Sequence, residues 1–222
     1  MSGPHLPVAL ACVSERVAAR HGVPRTCRGG VALTFDDGPH PQGTPAVLEV
    51  LAAHGVLATF FLVGEQVSRR PALAAEIAAA GHTVGLHGHR HRCQLRLTPR
   101  RIADDLERGA DAIARATGVE PELHRPPYGI YSAAGLKLAR RSYRPVLWSR
   151  WGKDWRRFTT PGRIAARAAS ELDDGDVILL HDADFYSAHD SWQHTVNALP
   201  LILESARSNK LSIVPLVRDV MG

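Results

Sequence analysis

Two adjacent carboxylates stand at the end of an apolar run in the stretch VALTFDDGPHP, residues 31–41. Asp36 and Asp37 follow the run directly, and a Gly-Pro turn comes after them. Like charges in contact repel each other, and partial burial raises the cost of keeping both ionised. The pair therefore predicts either turn residues in water or a positively charged group held between them.

A second polar stretch, GLHGHRH at residues 85–91, carries three imidazoles. His87 and His91 are four residues apart, so on a helical turn both side chains would point the same way. Two imidazoles and one carboxylate form a donor set that zinc accepts in catalytic sites. We therefore predict a metal site here, the alternative being a solvated histidine-rich loop or core histidines bonded to backbone. His89 is predicted to lie at the rim or behind the ligands.

Short apolar runs alternate with helical patterns along the chain, which predicts a parallel sheet covered by helices. The seven predicted strands are residues 31–35, 58–63, 82–86, 122–125, 144–149, 176–180 and 211–216. Pro near the first helical position, with Thr as a candidate N-cap, marks helix starts at Thr44-Pro45, Thr98-Pro99 and Thr160-Pro161. The last helix is predicted over residues 191–205, with a kink or break at Pro200.

A chain of 222 residues in which strand and helix patterns alternate in this way fits one α/β domain. We predict a distorted (β/α) barrel of about seven parallel strands, with an open doubly wound sheet as the alternative. Residues 1–30 are predicted to be a loosely structured or partly helical lead-in, and residues 31–222 a single catalytic domain.

Polar residues recur where each predicted strand ends. They are Asp36-Asp37, His87 to His91, the stretch RPPYG at residues 125–129, Asp154-Trp155 and His181-Asp182. The carboxyl ends of parallel strands share one face, which carries the active site in barrels of this class. Five separate segments are therefore expected to converge in space.

Composition excludes some classes of protein. The net charge of +5 comes mostly from Arg scattered through predicted helices, which favours a solvated basic surface over nucleic-acid binding. Attraction to anionic polymers stays open.

No apolar run approaches the roughly 20 residues of a membrane span. Three cysteines give no metal-motif spacing, and a Cys12–Cys27 disulfide has little support.

The stretches TFDDGP, HGHRH, RPPYG, KDW and ILLHD, in this order, resemble the five motifs of the NodB-homology polysaccharide deacetylases, carbohydrate esterase family 4. The resemblance spans roughly residues 31–216. It implies one divalent metal ion, usually zinc and alternatively cobalt, held by Asp37, His87 and His91. The implied substrate is an acetylated carbohydrate, and the implied reaction removes N-acetyl groups from amino-sugar polymers or oligosaccharides of the chitooligosaccharide or peptidoglycan type and releases acetate.

The resemblance also implies roles for the remaining polar residues. Asp36 would be the general base, oriented and kept ionised by Arg125. His181 would be the general acid that protonates the departing amine, supported by Asp154. The implied substrate contacts are the backbone N–H of Tyr128 at the oxyanion and a small acetyl pocket walled by Trp155 and Leu179.

Three positions depart from the family's pattern, namely His124, Trp151 and Gly88, where the family often carries an aromatic residue, an Asp and a hydroxyl residue. The loop at residues 182–194 is rich in aromatic and acidic residues, which predicts either sugar contact or a polar lead-in to the last helix. All expected metal and acid–base positions are filled, so we predict a divergent but active enzyme.

Alternatives to this function stay open. The same site could serve an O-acetyl esterase on xylan-like material or a deacetylase of an amino-sugar natural product, and a non-catalytic carbohydrate-binding protein is the third alternative. We expect a monomer. The apolar stretch LPVALACV has no Lys or Arg before it and is a poor secretory signal, so we expect either a cytoplasmic protein or a secreted one whose signal is removed.

Overall fold

The computed structural model describes residues 8–217, in which seven parallel strands form one sheet. The first seven residues of the predicted lead-in and the last five of the predicted domain lie outside the described residues. The strands are β1 Ala32–Asp36, β2 Thr59–Leu62, β3 Thr83–Leu86, β4 Leu123–His124, β5 Arg144–Pro145, β6 Arg150–Trp151 and β7 Val177–His181. The helices are α1 Glu15–Arg20, α2 Gly43–Ala53, α3 Gly64–Arg69, α4 Pro71–Ala79, α5 Pro99–Thr117, α6 Ala133–Ala139, α7 Pro161–Ala169 and α8 Ser191–Ser208. Short 3₁₀ segments cover Val8–Cys12, Gln94–Arg96 and Pro127–Gly129.

The sheet is strongly curled, as the connection between its two edge strands requires. The strand order is β5-β4-β3-β2-β1-β7-β6, so β5 and β6 lie at opposite edges although only residues 146–149 separate them in the chain. A flat sheet of this size would place its edges about 29 Å apart, since neighbouring strands lie about 4.8 Å apart. The connecting chain spans at most about 18 Å. The prediction of a distorted barrel with about seven parallel strands is confirmed, in the form of a curled half-barrel.

Two of the predicted strands are wrong in detail. In the run at residues 144–149 only Arg144–Pro145 form a strand, β5, and β6 begins one residue after the run; the carbonyl groups of Val146 and Leu147 instead accept hydrogen bonds from the Arg125 guanidinium. The run at residues 211–216 forms only an isolated bridge, between Ile213 and Val31. Pro215 has no N–H to donate, so the ladder cannot continue beyond it.

Successive side chains of the strands alternate between a helix-covered outer face and an inner face. In β1, Leu33 and Phe35 pack with the helices, whereas Ala32 belongs to the inner cluster. The same alternation sends Ile178 and Leu180 outward and leaves the intervening positions of β7 on the inner face. Each strand therefore presents every second residue to the interior of the curl.

The predicted lead-in packs against the inner face. Its 3₁₀ segment and α1 bury side chains beside Phe61 and Trp148, and the buried set includes Val8, Ala11, Val17 and Val23. Cys12 and Cys27 are buried free thiols and form no disulfide, contrary to the bridge considered from the sequence.

Helix starts agree with the Thr-Pro signals in two of three places. The Thr98 and Thr160 hydroxyls accept from the backbone N–H groups of Arg101 and Arg163 and cap α5 and α7. The N-cap prediction for Thr44 is wrong, since that residue lies inside α2. Helix α8 continues through Pro200 without a break and ends at Ser208, three residues beyond the predicted end. Over residues 8–217, every helix is too short or too polar to cross a membrane.

Candidate functional site

The inner positions at the carboxyl ends of the strands converge on one cleft. Asp36 and His181 are register partners at the ends of β1 and β7, and both continue the inward-facing series of their strands. His87 and Arg125 lie two residues beyond Gly85 and Leu123, the inner positions of β3 and β4, and therefore continue the same series. The cleft has a volume of about 260 Å³, and its lining includes Asp36, Asp37, His87, His91, Tyr128, Trp148, Trp151, Trp155, Leu179, His181, Tyr186 and Ser187.

Three ligand-type side chains meet at the floor of this cleft. Within residues 8–217, the only cluster of at least three His, Cys, Asp or Glu side chains with metal-binding proximity is Asp37, His87 and His91. Their candidate donor atoms all lie within 4.8 Å of one another. The Asp37 Oδ1 atom is 3.5 Å from His87 Nε2 and 3.2 Å from His91 Nε2.

The chemistry of this cluster fits a divalent cation. The His87 Nδ1–H donates to the carbonyl oxygen of Arg125 at 2.8 Å, which leaves the Nε2 lone pair facing Asp37. The Asp37 Oδ1 atom is buried without a hydrogen-bond donor. Burial raises the pKa of Asp37, but its contacts with His87 and His91 outweigh burial and hold the pKa well below its usual range. An ionised carboxylate oxygen and two imidazole nitrogens are the donors that zinc-type ions accept.

The backbone conformation around Asp37, His87 and His91 is unusual. Asp37 has a φ of 81°, in the left-handed region that non-glycine residues seldom adopt. His87 and His91 lie in a loop and not on the helical turn considered from their spacing. Gly88, with a φ of 79°, reverses the chain between them. Such backbone outliers cluster at functional sites.

An aspartate that sequence reasoning missed holds this loop in place. Asp105 of α5 accepts hydrogen bonds from the backbone N–H groups of His89 and Arg90, at 2.9 and 3.0 Å. A Cβ on Gly88 would lie 2.6 Å from a carboxylate oxygen of Asp105, so the glycine is needed for this approach. The His89 imidazole lies outside the ligand cluster and contacts Arg108, with Nε2 3.2 Å from the guanidinium.

A buried ion pair fixes Asp36 beside the ligands. Asp36 is 3% exposed, and its Oδ1 accepts from Arg125 at 2.8 Å. The fully buried Arg125 guanidinium also donates to the Thr34 hydroxyl and to the Leu147 carbonyl. It stacks 4.1 Å from the centroid of the Phe61 ring. This fork of fixed donors leaves Asp36 Oδ2 directed at the cluster, 3.8 Å from His87 Nε2.

A second ionic pair, formed by His181 at the end of β7 and Asp154, also borders the cleft. His181 Nδ1 lies 2.9 Å from Asp154 Oδ1, and the His181 backbone N–H donates to the other oxygen of the same carboxylate. The hydroxyl of Thr195 on α8 donates to that second oxygen at 2.8 Å, a contact that sequence reasoning missed. Burial lowers the pKa of His181, but the charge of Asp154 and its hydrogen bond outweigh burial and raise the pKa to about 10.

Aromatic side chains form one wall of the cleft. The Trp155 ring meets His181 edge-on at 5.5 Å, and the rings of Trp151 and Trp148 continue the row at spacings of 5.6 and 5.7 Å. Leu179, an inner residue of β7, lies in the same lining. Apolar and aromatic surface around a few fixed polar groups is typical of small-molecule sites.

The opposite rim carries two tyrosines. Tyr128 is 54% exposed, has a φ of 62°, and its ring meets His91 edge-on at 4.5 Å. The Tyr186 ring stacks on the His91 ring, with the ring centroids 4.1 Å apart and the planes nearly parallel. Tyr186 and Ser187 bring the loop at residues 182–194 to the cleft, whereas His189 in the same loop lies 91% exposed outside it.

Residues 24–143 match the family model described as polysaccharide deacetylase. This chain belongs to that family. A chitooligosaccharide deacetylase from a Bradyrhizobium species is 36% identical over 196 residues, which cover 84% of this chain and 88% of the relative. The deacetylase relatives support an enzyme that acts on acetylated carbohydrates.

Solved structures agree with the family membership. The crystal structure of a peptidoglycan N-acetylglucosamine deacetylase superposes with a TM-score of 0.82 at 28% identity, covering 90% of this chain and 92% of the other. A family 4 acetyl xylan esterase from Clostridium thermocellum, solved with a cobalt ion, superposes with a TM-score of 0.74 at 29% identity, covering 83% of this chain and 87% of the other.

The three departures from the usual polysaccharide deacetylase pattern have distinct surroundings. Trp151 adds an aromatic ring to the cleft wall. His124 is fully buried on β4, and its Nδ1 lies 2.7 Å from the Tyr131 hydroxyl. Burial lowers the pKa of His124 to about 3, so this imidazole is neutral. Gly88 supplies the turn described above, where a side chain would collide with Asp105.

Proposed function

We propose that this chain is a metal-dependent deacetylase that hydrolyses the N-acetyl groups of amino-sugar polymers or oligosaccharides and releases acetate. The observation that carries the proposal is one cleft lined by a carboxylate–imidazole cluster together with Asp36 and His181, each of which is paired with a buried partner. A binding protein has no need of both pairs. The deacetylase relatives support the same substrate class.

Asp37, His87 and His91 would hold the metal ion, zinc in the first place and cobalt as the alternative. When bound, such an ion lowers the pKa of a coordinated water and polarises a carbonyl group. The cobalt ion in the related acetyl xylan esterase supports the alternative. Arg125 supports the same set through its carbonyl oxygen, which accepts from His87 and fixes its tautomer.

Asp36 is proposed as the general base. Its Oδ1 is committed to Arg125, so Oδ2 is the oxygen that takes a proton from the attacking water. The water oxygen then bonds to the acetyl carbon, and the carbonyl electrons move to the oxygen. Arg125 is proposed to hold the carboxylate in this orientation throughout.

His181 is proposed as the general acid. Asp154 binds Nδ1 and stabilises the imidazolium, so Nε2–H is the proton donor toward the cleft. When the carbon–nitrogen bond breaks, this proton goes to the departing nitrogen, which leaves as the amine, while the acyl group leaves as acetic acid, which releases its proton to water and becomes acetate. The proton that Asp36 has taken later restores His181.

The remaining cleft residues are proposed to bind substrate. The backbone N–H of Tyr128 would donate to the developing oxyanion, and the left-handed conformation of that residue supports a specially aimed peptide group. Trp155 and Leu179 would enclose the acetyl methyl group, since both line the cleft beside His181.

The test is acetate release from chitooligosaccharides by the purified chain, first untreated, then chelated, then supplied with Zn²⁺ or Co²⁺. We expect release that stops on chelation and returns with either ion. Asp36→Asn is expected to keep the metal, measured by elemental analysis, while turnover falls by about 10²-fold or more. Full turnover in that variant would remove Asp36 from its role. Absence of both metal and release would favour the non-catalytic carbohydrate-binding alternative.

Acetyl xylan is the substrate that tests the esterase alternative, which the related acetyl xylan esterase supports. An alkoxide leaves more easily than an unprotonated amine, so an esterase depends less on a proton from His181. We expect His181→Gln to lose more turnover on N-acetylated than on O-acetylated substrate. Faster wild-type turnover of acetyl xylan than of every N-acetylated oligosaccharide would replace the proposed substrate.

A further inference from the structure

A second pocket adjoins the cleft on the far side of His91 and Tyr128. It has a volume of about 600 Å³, within the range of roughly 300–1,000 Å³ that is usual for ligand pockets. His91 and Tyr128 line both pockets, with their ring centroids 4.5 Å apart, so the two pockets adjoin at this pair of rings. A ligand longer than one sugar could therefore occupy the two pockets together.

The second pocket is strongly basic. Its lining includes Arg92, Arg96 and Arg101 together with Leu97 and Ile130. The contributing segment, residues 89–101, contains five arginines and no acidic residue. Three of the chain's arginines therefore meet at one end of the cleft.

These guanidinium groups are available to a ligand. In the part of the chain that the structure describes, none of Arg92, Arg96 and Arg101 forms an ion pair with a carboxylate, although Arg108 of the same helix pairs with Asp104. All three are exposed. The first turn of α5 adds the partial positive charge of a helix N-terminus to the pocket.

We infer that this pocket binds a carboxylate carried by the sugar next to the one that is deacetylated. The inference rests on the proposed function and narrows its substrate class to acidic acetylated glycans. Guanidinium groups bind carboxylates through paired hydrogen bonds, and basic walls around a cleft raise the local concentration of an anionic ligand. Chitooligosaccharides are neutral, whereas glycans of the peptidoglycan type carry a lactyl carboxylate on alternate sugars.

The experiment compares three N-acetylated oligosaccharides of equal length: a neutral one, one with lactyl carboxylates on alternate sugars, and the methyl ester of the second. The ester keeps the shape and removes the charge. For the metal-loaded wild type we expect a kcat/KM about tenfold higher for the acid than for the ester at low salt. This ratio should fall as sodium chloride is added, because salt screens exposed charges.

Arg96→Gln/Arg101→Gln is expected to bring the acid-to-ester ratio close to one. Arg92 is left intact because it follows a proposed ligand. The matched control is Arg100→Gln, which removes a charge one residue away on the same helix turn but does not line the pocket. The control should keep the wild-type ratio.

An acid-to-ester ratio of one in the wild type, with good turnover of both, would overturn the inference and leave the proposed function intact. A ratio that falls equally in the Arg100 control would assign the effect to overall charge and would also overturn it. If no substrate is deacetylated, the proposed function fails. Calorimetric measurement of acid and ester binding to the wild-type protein then tests the carboxylate site separately. Equal affinity for the acid and the ester would refute the inference.

Discussion

Replacing Arg125 tests how much the buried ion pair between Arg125 and Asp36 contributes to the stability of the fold. In Arg125→Met, the Asp36 carboxylate keeps its burial but loses the cation that lies 2.8 Å away. Breaking a buried ion pair by removing one partner costs about 3–5 kcal/mol. The carbonyl group of Leu147 also loses its donor, at about 1 kcal/mol. We expect a loss of about 4–6 kcal/mol in the free energy of unfolding, which approaches the whole stability of many domains.

The double variant Asp36→Asn/Arg125→Met separates the unpaired charge from the other lost contacts. Asparagine leaves no buried charge, so most of the penalty disappears, while the orphaned carbonyl groups remain. We expect the double variant to be only about 1–3 kcal/mol less stable than wild type. The coupling free energy between the two positions, which also includes the cost of Asp36→Asn alone, should then be at least about 3 kcal/mol, well above the scatter of independent sites.

Urea unfolding followed by circular dichroism measures these differences. Chelator is present throughout, because a metal ion bound to the folded state would add its own stabilisation. Arg108→Met, which removes an arginine exposed on α5, is the control and should change stability by less than about 0.5 kcal/mol. A loss below about 1 kcal/mol in Arg125→Met, or a double variant as unstable as the single one, would refute the reasoning.

Three further predictions concern other parts of the site. Gly129→Ala places a Cβ 2.3 Å from an indole ring at a φ of 66° and should destabilise the fold by about 1–3 kcal/mol in urea unfolding, whereas Gly162→Ala, with open space on α7, should be neutral or slightly stabilising. Asp105→Asn should weaken metal binding about tenfold in a chelator competition, because it loosens the ligand loop, while Asp104→Asn on the exposed face should not. The pKa of His181 is raised to about 10, so stabilisation by its charged form is complete below about pH 6.5 and is lost as pH rises through 10; the wild-type urea midpoint should show this loss, and His181→Gln should not.

The convergence of the polar residues could be predicted from sequence because side chains alternate between the two faces of a strand. The face that a residue occupies therefore depends only on its position within its own strand. Asp36 and His181 continue the inward series of their strands, and Arg125 lies two residues past an inner leucine. Once strands are parallel, their carboxyl ends share a face, so order and spacing are enough to bring these groups together. Their chemical roles remain predictions, since position alone does not test a proton transfer.

The supporting residues could not be predicted in the same way. Asp105 and Thr195 lie on helices that follow the site in the chain, 16 residues from His89 in the first case and 14 residues from His181 in the second. Nothing in their local sequence distinguishes them from surface-facing polar residues of an amphipathic helix. Their contacts depend on how α5 and α8 pack against the sheet, which is a tertiary property.

The early end of the strand predicted at residues 144–149 also depends on tertiary structure. A continuous apolar run predicts one strand, but the guanidinium of Arg125, which follows β4, donates hydrogen bonds to the carbonyl groups of Val146 and Leu147. Val146 and Leu147, two of the four residues that cross between the sheet edges, therefore accept hydrogen bonds from the side chain that pairs with Asp36. Because one guanidinium contacts both the crossing and the proposed base, a change that loosens the edge strands is expected to disturb the base without touching the cleft.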